Sequence, residues 1–304
     1  MDTKQIEYIL KIAEENNITH AASKLFITQS ALNQQLIKLE NELGTPLFHR
    51  SRTNWRPTEA GEIYIEHAKE IMRIKQEAYQ MIYDRTSGKR GKLSVGFTPG
   101  RGIAVFIAAY RDFHQQHPNI VIEPTELSVH ELHQQINQGD LDLAFVTVSE
   151  SDKTDAIYEK FFDEELFLAI PTGHPLCETY NRSDNSEPYP VIDIREVQYE
   201  PFVLMNRTST MRALVDKIFA EAGISPQVLF ETRNNNTIIS MIQTNMCCGI
   251  LPYYYTKKAP EGISCFALPS HPSWQFAVTY RKGRYLSQAA HCFIDCMRAN
   301  CTLV

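Results

Sequence analysis

No apolar run in this chain approaches the roughly 20 residues that a helix needs to cross a bilayer, so no membrane span and no membrane partner is expected. The opening residues place Asp2, Lys4 and Glu7 in an amphipathic pattern that lacks the form of a secretory signal, so a cytoplasmic location is expected. Cysteine is sparse: there are 7, an odd number without C-x-x-C spacing, which suits a reducing compartment. Cys292, Cys296 and Cys301 share a C-terminal helical segment and Cys247-Cys248 lie in a strand pattern. Small buried thiols account for them more plainly than a redox or metal sensor does. His130-x-x-His133 has helical spacing but no third ligand beside it, so no metal site is named. Nucleophile-elbow, P-loop and zinc motifs are missing, so no enzyme activity, catalytic residue or cofactor is expected.

Positive charge is also in short supply. The 304 residues carry a formal net charge of −6, a poor average for a nucleic-acid binder. The average hides a local reversal. Between residues 20 and 56, Lys24, Lys38, Arg50, Arg52 and Arg56 face only Glu40 and Glu42, and localised charge is what phosphate contact requires. At 43% hydrophobic and 22% charged the chain is ordinary globular protein, and its length predicts two or three domains.

Residues 18–58 read as a helix-turn-helix followed by a basic hairpin. Thr19 and Thr28 each suit the N-cap of a helix, with a tight turn at Phe26-Ile27 between the two. Ala21 and Ala22 allow a close helix crossing. The second helix carries Leu32, Leu36, Leu39 and Leu43 on one stripe and ends at Gly44. Its other face presents Gln29, Ser30, Asn33, Gln34 and Lys38, and side-chain amides pair bidentately with the major-groove edge of adenine. Thr28, Gln29, Ser30, Asn33, Gln34, Lys38, Arg50 and Arg52 are therefore the expected contacts to a double-stranded DNA operator.

The chain resembles the LysR-type transcriptional regulators through Ala21-Ala22, Leu25, Thr28-Gln29-Ser30, Leu39-Glu40, Leu43-Gly44, Leu47-Phe48, Arg50 and Thr58-Glu59-Ala60-Gly61. Looser matches follow at Gly139-Asp140-Leu141-Asp142-Leu143-Ala144 and Gly249-Ile250-Leu251-Pro252. The resemblance implies an α/β protein in three parts: an N-terminal all-α winged helix-turn-helix, a long linker helix, and a C-terminal two-lobed effector domain similar to periplasmic binding proteins. It implies a bacterial regulator that answers to a small molecule, and a tetramer built as two dimers, with RNA polymerase as a further candidate partner. Two positions depart from the family's habit, which is Ser where Asn33 stands and often Arg where Gln34 stands. The family's operator preference is therefore not carried over.

The expected domains are residues 1–58, a linker helix 59–87, and an effector domain 88–304 with lobe I at 93–163 and 267–304 and lobe II at 164–266. In the linker, Tyr64, His67, Ile71, Ile74, Ala78 and Met81 follow a heptad seam that needs a partner, and a second copy is the simplest one. Tyr64, Ile71, Ile74, Ala78 and Met81 are the dimerisation candidates. A hinge is expected at residues 86–91. Strands at 93–97, 120–126 and 141–148 alternate with helices at 103–117 and from 129 to Gly139, the second opened by a Ser128-x-x-Glu131 capping box. That order implies a parallel sheet. In the second lobe strands are expected near 165–170, 202–205, 227–232 and 248–251, with helices opening near Ser209 and Thr237. Strands near 263–268 and 274–280 and a helix at 287–298 lead back into the first lobe.

Open parallel sheets bind ligands beyond the carboxyl ends of their strands. The segment Thr98-Pro99-Gly100-Arg101-Gly102 sits there with a hydroxyl, two glycines and an arginine at a helix start, which favours an anion, a carboxylate above all. Thr98, Gly100, Arg101, Ser128, Thr147, Asn206 and Thr232 are the expected effector contacts. Capping alone also explains Thr98 and Ser128, and Arg101 equally suits a solvent-facing position. A solute-binding or scaffold module would account for residues 93–304 but leaves the reading helix without a use.

Overall fold

The computed structural model describes residues 2–51, 54–86, 91–180, 189–257 and 260–301. The chain divides into two compact units, Met1–Gly88 and Lys89–Val304.

The first unit begins with α1 (Thr3–Glu15), capped by the Asp2 carboxylate. Helix α2 (Ile18–Lys24) is capped by Asn17, whose side chain accepts from the Thr19 and His20 amides. The cap expected at Thr19 thus lies two residues earlier, because Asn17 reaches both amides and leaves Thr19 inside the helix. Phe26 turns the chain with φ +56°, a left-handed conformation rare for an aromatic residue. Helix α3 (Gln29–Leu43) follows, capped by the Thr28 hydroxyl and closed by Gly44 at φ +70°. Leu32, Leu36 and Leu39 are buried against Ile9, Ile12, Ala21 and Ala22. Leu43, expected on the same stripe, is instead 46% exposed, since the core ends a turn before the helix does. Strands β1 (Phe48–His49) and β2 (Arg56–Pro57) pair antiparallel as the wing.

Helix α4 (Glu59–Thr86) starts against that wing. Thr58 donates its hydroxyl to the Pro46 carbonyl at 2.7 Å and accepts from the Gly61 amide at 3.0 Å. A Cβ at position 61 would lie 2.0 Å from the Leu47 carbonyl oxygen, so only glycine lets the helix start this close.

In the second unit β3 (Gly91–Phe97), α5 (Arg101–Gln116), β4 (Ile120–Glu126), α6 (Val129–Gln138) and β5 (Leu143–Val148) form two helical crossovers, with β3 parallel to both β4 and β5. Helix α6 carries the Ser128/Glu131 capping box and ends at Gly139. Strand β6 (Ala156–Pro171) then runs 16 residues through both lobes. Only its second half was expected. The first half, rich in charged residues and half-exposed, lies beside β11 (Ser273–Arg281), which itself pairs with β5. The second half lies between β9 (Gly249–Pro252) and β10 (Ile263–Ala267), so β10 belongs to the second lobe rather than to the return path.

The second lobe is filled out by the short α7 (Pro175–Tyr180), then β7 (Pro201–Met205), α8 (Thr210–Ala222), β8 (Gln227–Thr232) and α9 (Asn235–Gln243). Strands β7 and β8 are parallel, and Phe202 bridges to Cys248 at the entry to β9. Helix α9 opens at Asn235 under an Asn234 cap, two residues before the expected Thr237. Helix α10 (Tyr253–Thr256) follows β9, and α11 (Gln288–Asn300), capped by Ser287, packs on the first lobe beside α5. Phe97, Phe113, Phe145, Phe276 and Phe293 fill that lobe's core. Leu168, Phe202, Met211 and Phe219 anchor the other.

Candidate nucleic-acid interface and ligand cleft

The face of α3 opposite its leucines is open. Gln29, Ser30, Gln34 and Lys38 are exposed and Asn33 is half-buried. The Thr28 hydroxyl is committed to capping, accepting from the Ala31 amide at 3.2 Å and lying 3.2 Å from the Ser30 hydroxyl. Its work is to hold the helix start, where the positive dipole end suits a phosphate. Arg50 is held back by the protein itself. It pairs with Glu40, a buried carboxylate that also accepts from the Leu47 amide at 2.8 Å, and its guanidinium lies 5.8 Å from the Trp55 ring centre. That pair ties the wing to α3. The signal for it was Glu40 standing beside the leucine stripe with an arginine ten residues on. Arg52 lies outside the described residues, while Arg56 on β2 and Lys24 are exposed.

On α4, Ile71, Ile74, Ala78 and Met81 are exposed, and so are Ile63, Tyr79, Ile82 and Tyr83, which the seam did not include. Tyr64 is half-buried and packs against the core of its own unit. Arg73 bonds Glu70 and Glu77 along the helix. Most of the expected hinge lies outside the described residues.

Past the ends of β3, β5 and β7 the two lobes face each other, joined by contacts between Thr147 and Thr210 and between Gly100 and Tyr255. Thr98 is buried, its amide donating to the Phe145 carbonyl at 3.1 Å. Gly100, at φ +76°, lies under the Tyr255 hydroxyl, which would stand 2.3 Å from a Cβ there. Across the cleft the Thr210 hydroxyl donates to the Thr147 carbonyl at 3.1 Å. Asn206 donates its amide to the Thr232 carbonyl at 2.7 Å and its side chain to the Thr208 hydroxyl at 2.9 Å. Ser128 is engaged in its capping box, and its hydrogen bonds hold the Glu131 carboxyl below the usual carboxylate range, with Arg233 of the facing lobe adding to the effect. Two helices begin at this cleft, α5 after Gly100 and α8 after Ser209, and neither has a side-chain cap.

Arg101 does not join this group. Its side chain turns toward the strand crossing, lies 3.8 Å from the Glu164 carboxylate, donates to the Cys301 carbonyl at 3.3 Å, and stacks on Phe162 and Tyr254. The Arg101 guanidinium thus faces the buried Glu164 carboxylate and lines the cavity beside it. Burial pushes the Glu164 carboxyl up, while Arg101 and the Trp274 and Tyr254 hydrogen bonds oppose that shift. A cavity of about 550 Å³ opens beside these residues, lined among others by Arg101, Phe162, Glu164, Tyr253 and Arg298. Tyr255 and Thr210 were missed at this meeting of the lobes. The available signals were the hydroxyl pair Ser209-Thr210 at a helix start and three tyrosines directly after Gly249-Ile250-Leu251-Pro252.

The seven cysteines are free, and burial pushes the thiols of Cys248 and Cys265 up to about 12. Among the described residues no cluster of metal-ligating side chains occurs and no helix is long and apolar enough to cross a membrane.

Comparison with known proteins places both units. Residues 3–62 match the family model described as bacterial regulatory helix-turn-helix protein, lysR family, and residues 86–302 match the LysR substrate binding domain. The chain is 28% identical over 307 residues to the uncharacterized HTH-type transcriptional regulator YcgK of Bacillus subtilis, covering 98% of this chain and 94% of that one. Its fold is similar to a full-length OxyR variant from Pseudomonas aeruginosa, with TM-score 0.74, 20% identity and 98% of each chain covered. It is also similar to full-length CbnR, a structure complexed with its target DNA, with TM-score 0.64, 18% identity, 99% of this chain and 100% of that chain covered.

Proposed function

The chain belongs to the LysR family of transcriptional regulators, a DNA-binding unit joined to an effector-binding domain, and from that premise we propose that its effector is a small carboxylate held between the lobes. The observation that carries the reading is the pair of uncapped helix starts, α5 and α8, at one cleft. Six other helices of seven residues or more begin on a side-chain oxygen: Asp2, Asn17, Thr28, Ser128, Asn234 and Ser287. A helix start without a cap leaves amide donors for a ligand, and an anion there gains about 0.3–1 kcal/mol from each dipole. Thr98, Gly100, Thr147, Asn206 and Thr232 frame the site, with Ser128, Thr210 and Tyr255 at its rim.

A ligand shifts the lobes only through unequal affinity for two arrangements of them. That shift reaches DNA through α4, whose exposed seam at Ile71, Ile74, Ala78 and Met81 pairs with a second copy, and two such dimers form the tetramer. Two reading helices then meet a two-fold operator in the cytoplasm, and RNA polymerase is the partner an activator would recruit.

Calorimetric titration of the full chain with small mono- and dicarboxylates, set against their primary amides, tests the reading. Carboxylates are expected to bind at least about tenfold more tightly, the equivalent of about 1.4 kcal/mol. Equal affinity for acid and amide, or no binding by any member of the panel, would overturn it.

A further inference from the structure

The chain passes between the lobes twice, along β6 and into β11, and one side chain holds both passages. Glu164 on β6 is the register partner of Trp274 on β11. Its side chain is 1% exposed. One carboxylate oxygen accepts from the Trp274 indole N–H at 3.1 Å, and the other accepts from the Tyr254 backbone amide at 3.2 Å. Arg101, at the first turn of α5, lies 3.8 Å from the second oxygen. Four elements therefore converge on one carboxylate: α5 of the first lobe, α10 of the second, and the two crossing strands.

The geometry also closes a ring. Arg101 follows Gly100, and Tyr255 follows Tyr254. The Tyr255 hydroxyl covers Gly100, while Glu164 joins Arg101 to Tyr254. We infer that Glu164 is a positioning residue that pins α10 to the start of α5 and so sets the resting geometry of the cleft. A carboxylate suits this better than an apolar side chain, because its hydrogen bonds constrain direction whereas apolar contacts slide. Removing one partner leaves a buried group unpaired, so the pin holds or opens as a unit. Its use as part of a ligand response rests on the carboxylate-effector reading, but the pinning itself does not.

The test needs neither ligand nor DNA, so its failure is distinct from failure of the effector reading. The chain has 2 tryptophans, and with Trp55→Phe the emission of the full chain reports Trp274 alone. Amide hydrogen exchange is followed in parallel on peptides covering 98–102 and 253–257. Glu164→Gln can satisfy only one of the two donors. It is expected to shift the Trp274 emission and to speed exchange in both peptides about tenfold or more, leaving 93–97 unchanged. A double variant, Glu164→Leu with Arg101→Met, removes both charges and recovers thermal stability. If Glu164 positions α10, exchange in the two peptides stays fast in that double variant despite the recovery. Exchange that returns to the wild-type rate together with stability would reduce Glu164 to a structural role and overturn the inference. Wild-type exchange at 98–102 in Glu164→Gln would overturn it equally.

Discussion

Replacing Gly61 with alanine sets two physical rules against each other. Inside a helix, alanine is favoured over glycine by about 0.8–1.0 kcal/mol, so propensity alone predicts a stabler α4. The structure predicts the opposite sign. The new Cβ would stand 2.0 Å from the Leu47 carbonyl oxygen and 3.2 Å from the Pro57 Cβ. Reaching ordinary contact means moving the helix start by about 1 Å or more. That movement strains the Thr58 amide bond to Leu47 at 2.9 Å, the Thr58 hydroxyl bond to Pro46 at 2.7 Å and the position-61 amide bond to Thr58 at 3.0 Å. With about 1 kcal/mol for each bond weakened, and the propensity gain subtracted, the net loss is about 2 kcal/mol. Trp55 sits in the core of this unit and reports its unfolding. In a Trp274→Phe background, urea denaturation of Gly61→Ala should show the Trp55 transition at lower urea with an unchanged slope. A midpoint equal to or above that of the parent would refute the packing argument.

Phe26→Gly should act in the other direction. Phe26 is 95% exposed at φ +56°, so glycine relieves backbone strain without emptying a core, and thermal unfolding of this unit should show a gain of about 1 kcal/mol. Ile74→Asp on α4 places a charge on the exposed seam; light scattering should show the assembly dissociating at protein concentrations about 100-fold higher than for the parent, and an unchanged mass would remove the seam from the interface. Burial holds the His133 imidazole below its ordinary value, and its ring nitrogen sits 2.9 Å from the Tyr158 hydroxyl. Because the folded value is depressed, its contribution to stability is complete above about pH 6.5 and is lost as pH falls through the folded value. His133→Gln should flatten that part of the stability–pH curve; an unaltered slope would assign the loss elsewhere.

Local signals carried the parts of the fold that rest on local chemistry. Gly44, Gly139, Ser128 with Glu131, and Ser287 end or begin helices because their own conformations and side chains satisfy terminal backbone groups. The first half of β6 was invisible because Glu159, Lys160, Asp163 and Glu164 interrupt its apolar residues, and only pairing with distant β11 makes it a strand. Arg101 shows the same limit at the site. Its place beside two glycines reads as an anion contact, yet Glu164, 63 positions away, claims it. Asn17 and Thr19 are both competent caps, and nothing within the segment says which amides each will reach. Thr98 and Thr147 could be named from strand ends, whereas Tyr255 enters the cleft only through the packing of α10 against β6.

Operator recognition through α3 requires its exposed amides to contact bases while Lys38 meets phosphate. Titrating operator DNA and a scrambled duplex over a range of salt concentrations tests this directly, using the parent, Gln34→Ala and Lys38→Ala. Gln34→Ala should lose about 1–3 kcal/mol of discrimination between the two duplexes with the salt slope unchanged, and Lys38→Ala should weaken both duplexes alike and lower the slope by about 1. If Gln34→Ala discriminates as well as the parent and Lys38→Ala keeps the parent's slope, α3 is not the element that reads DNA.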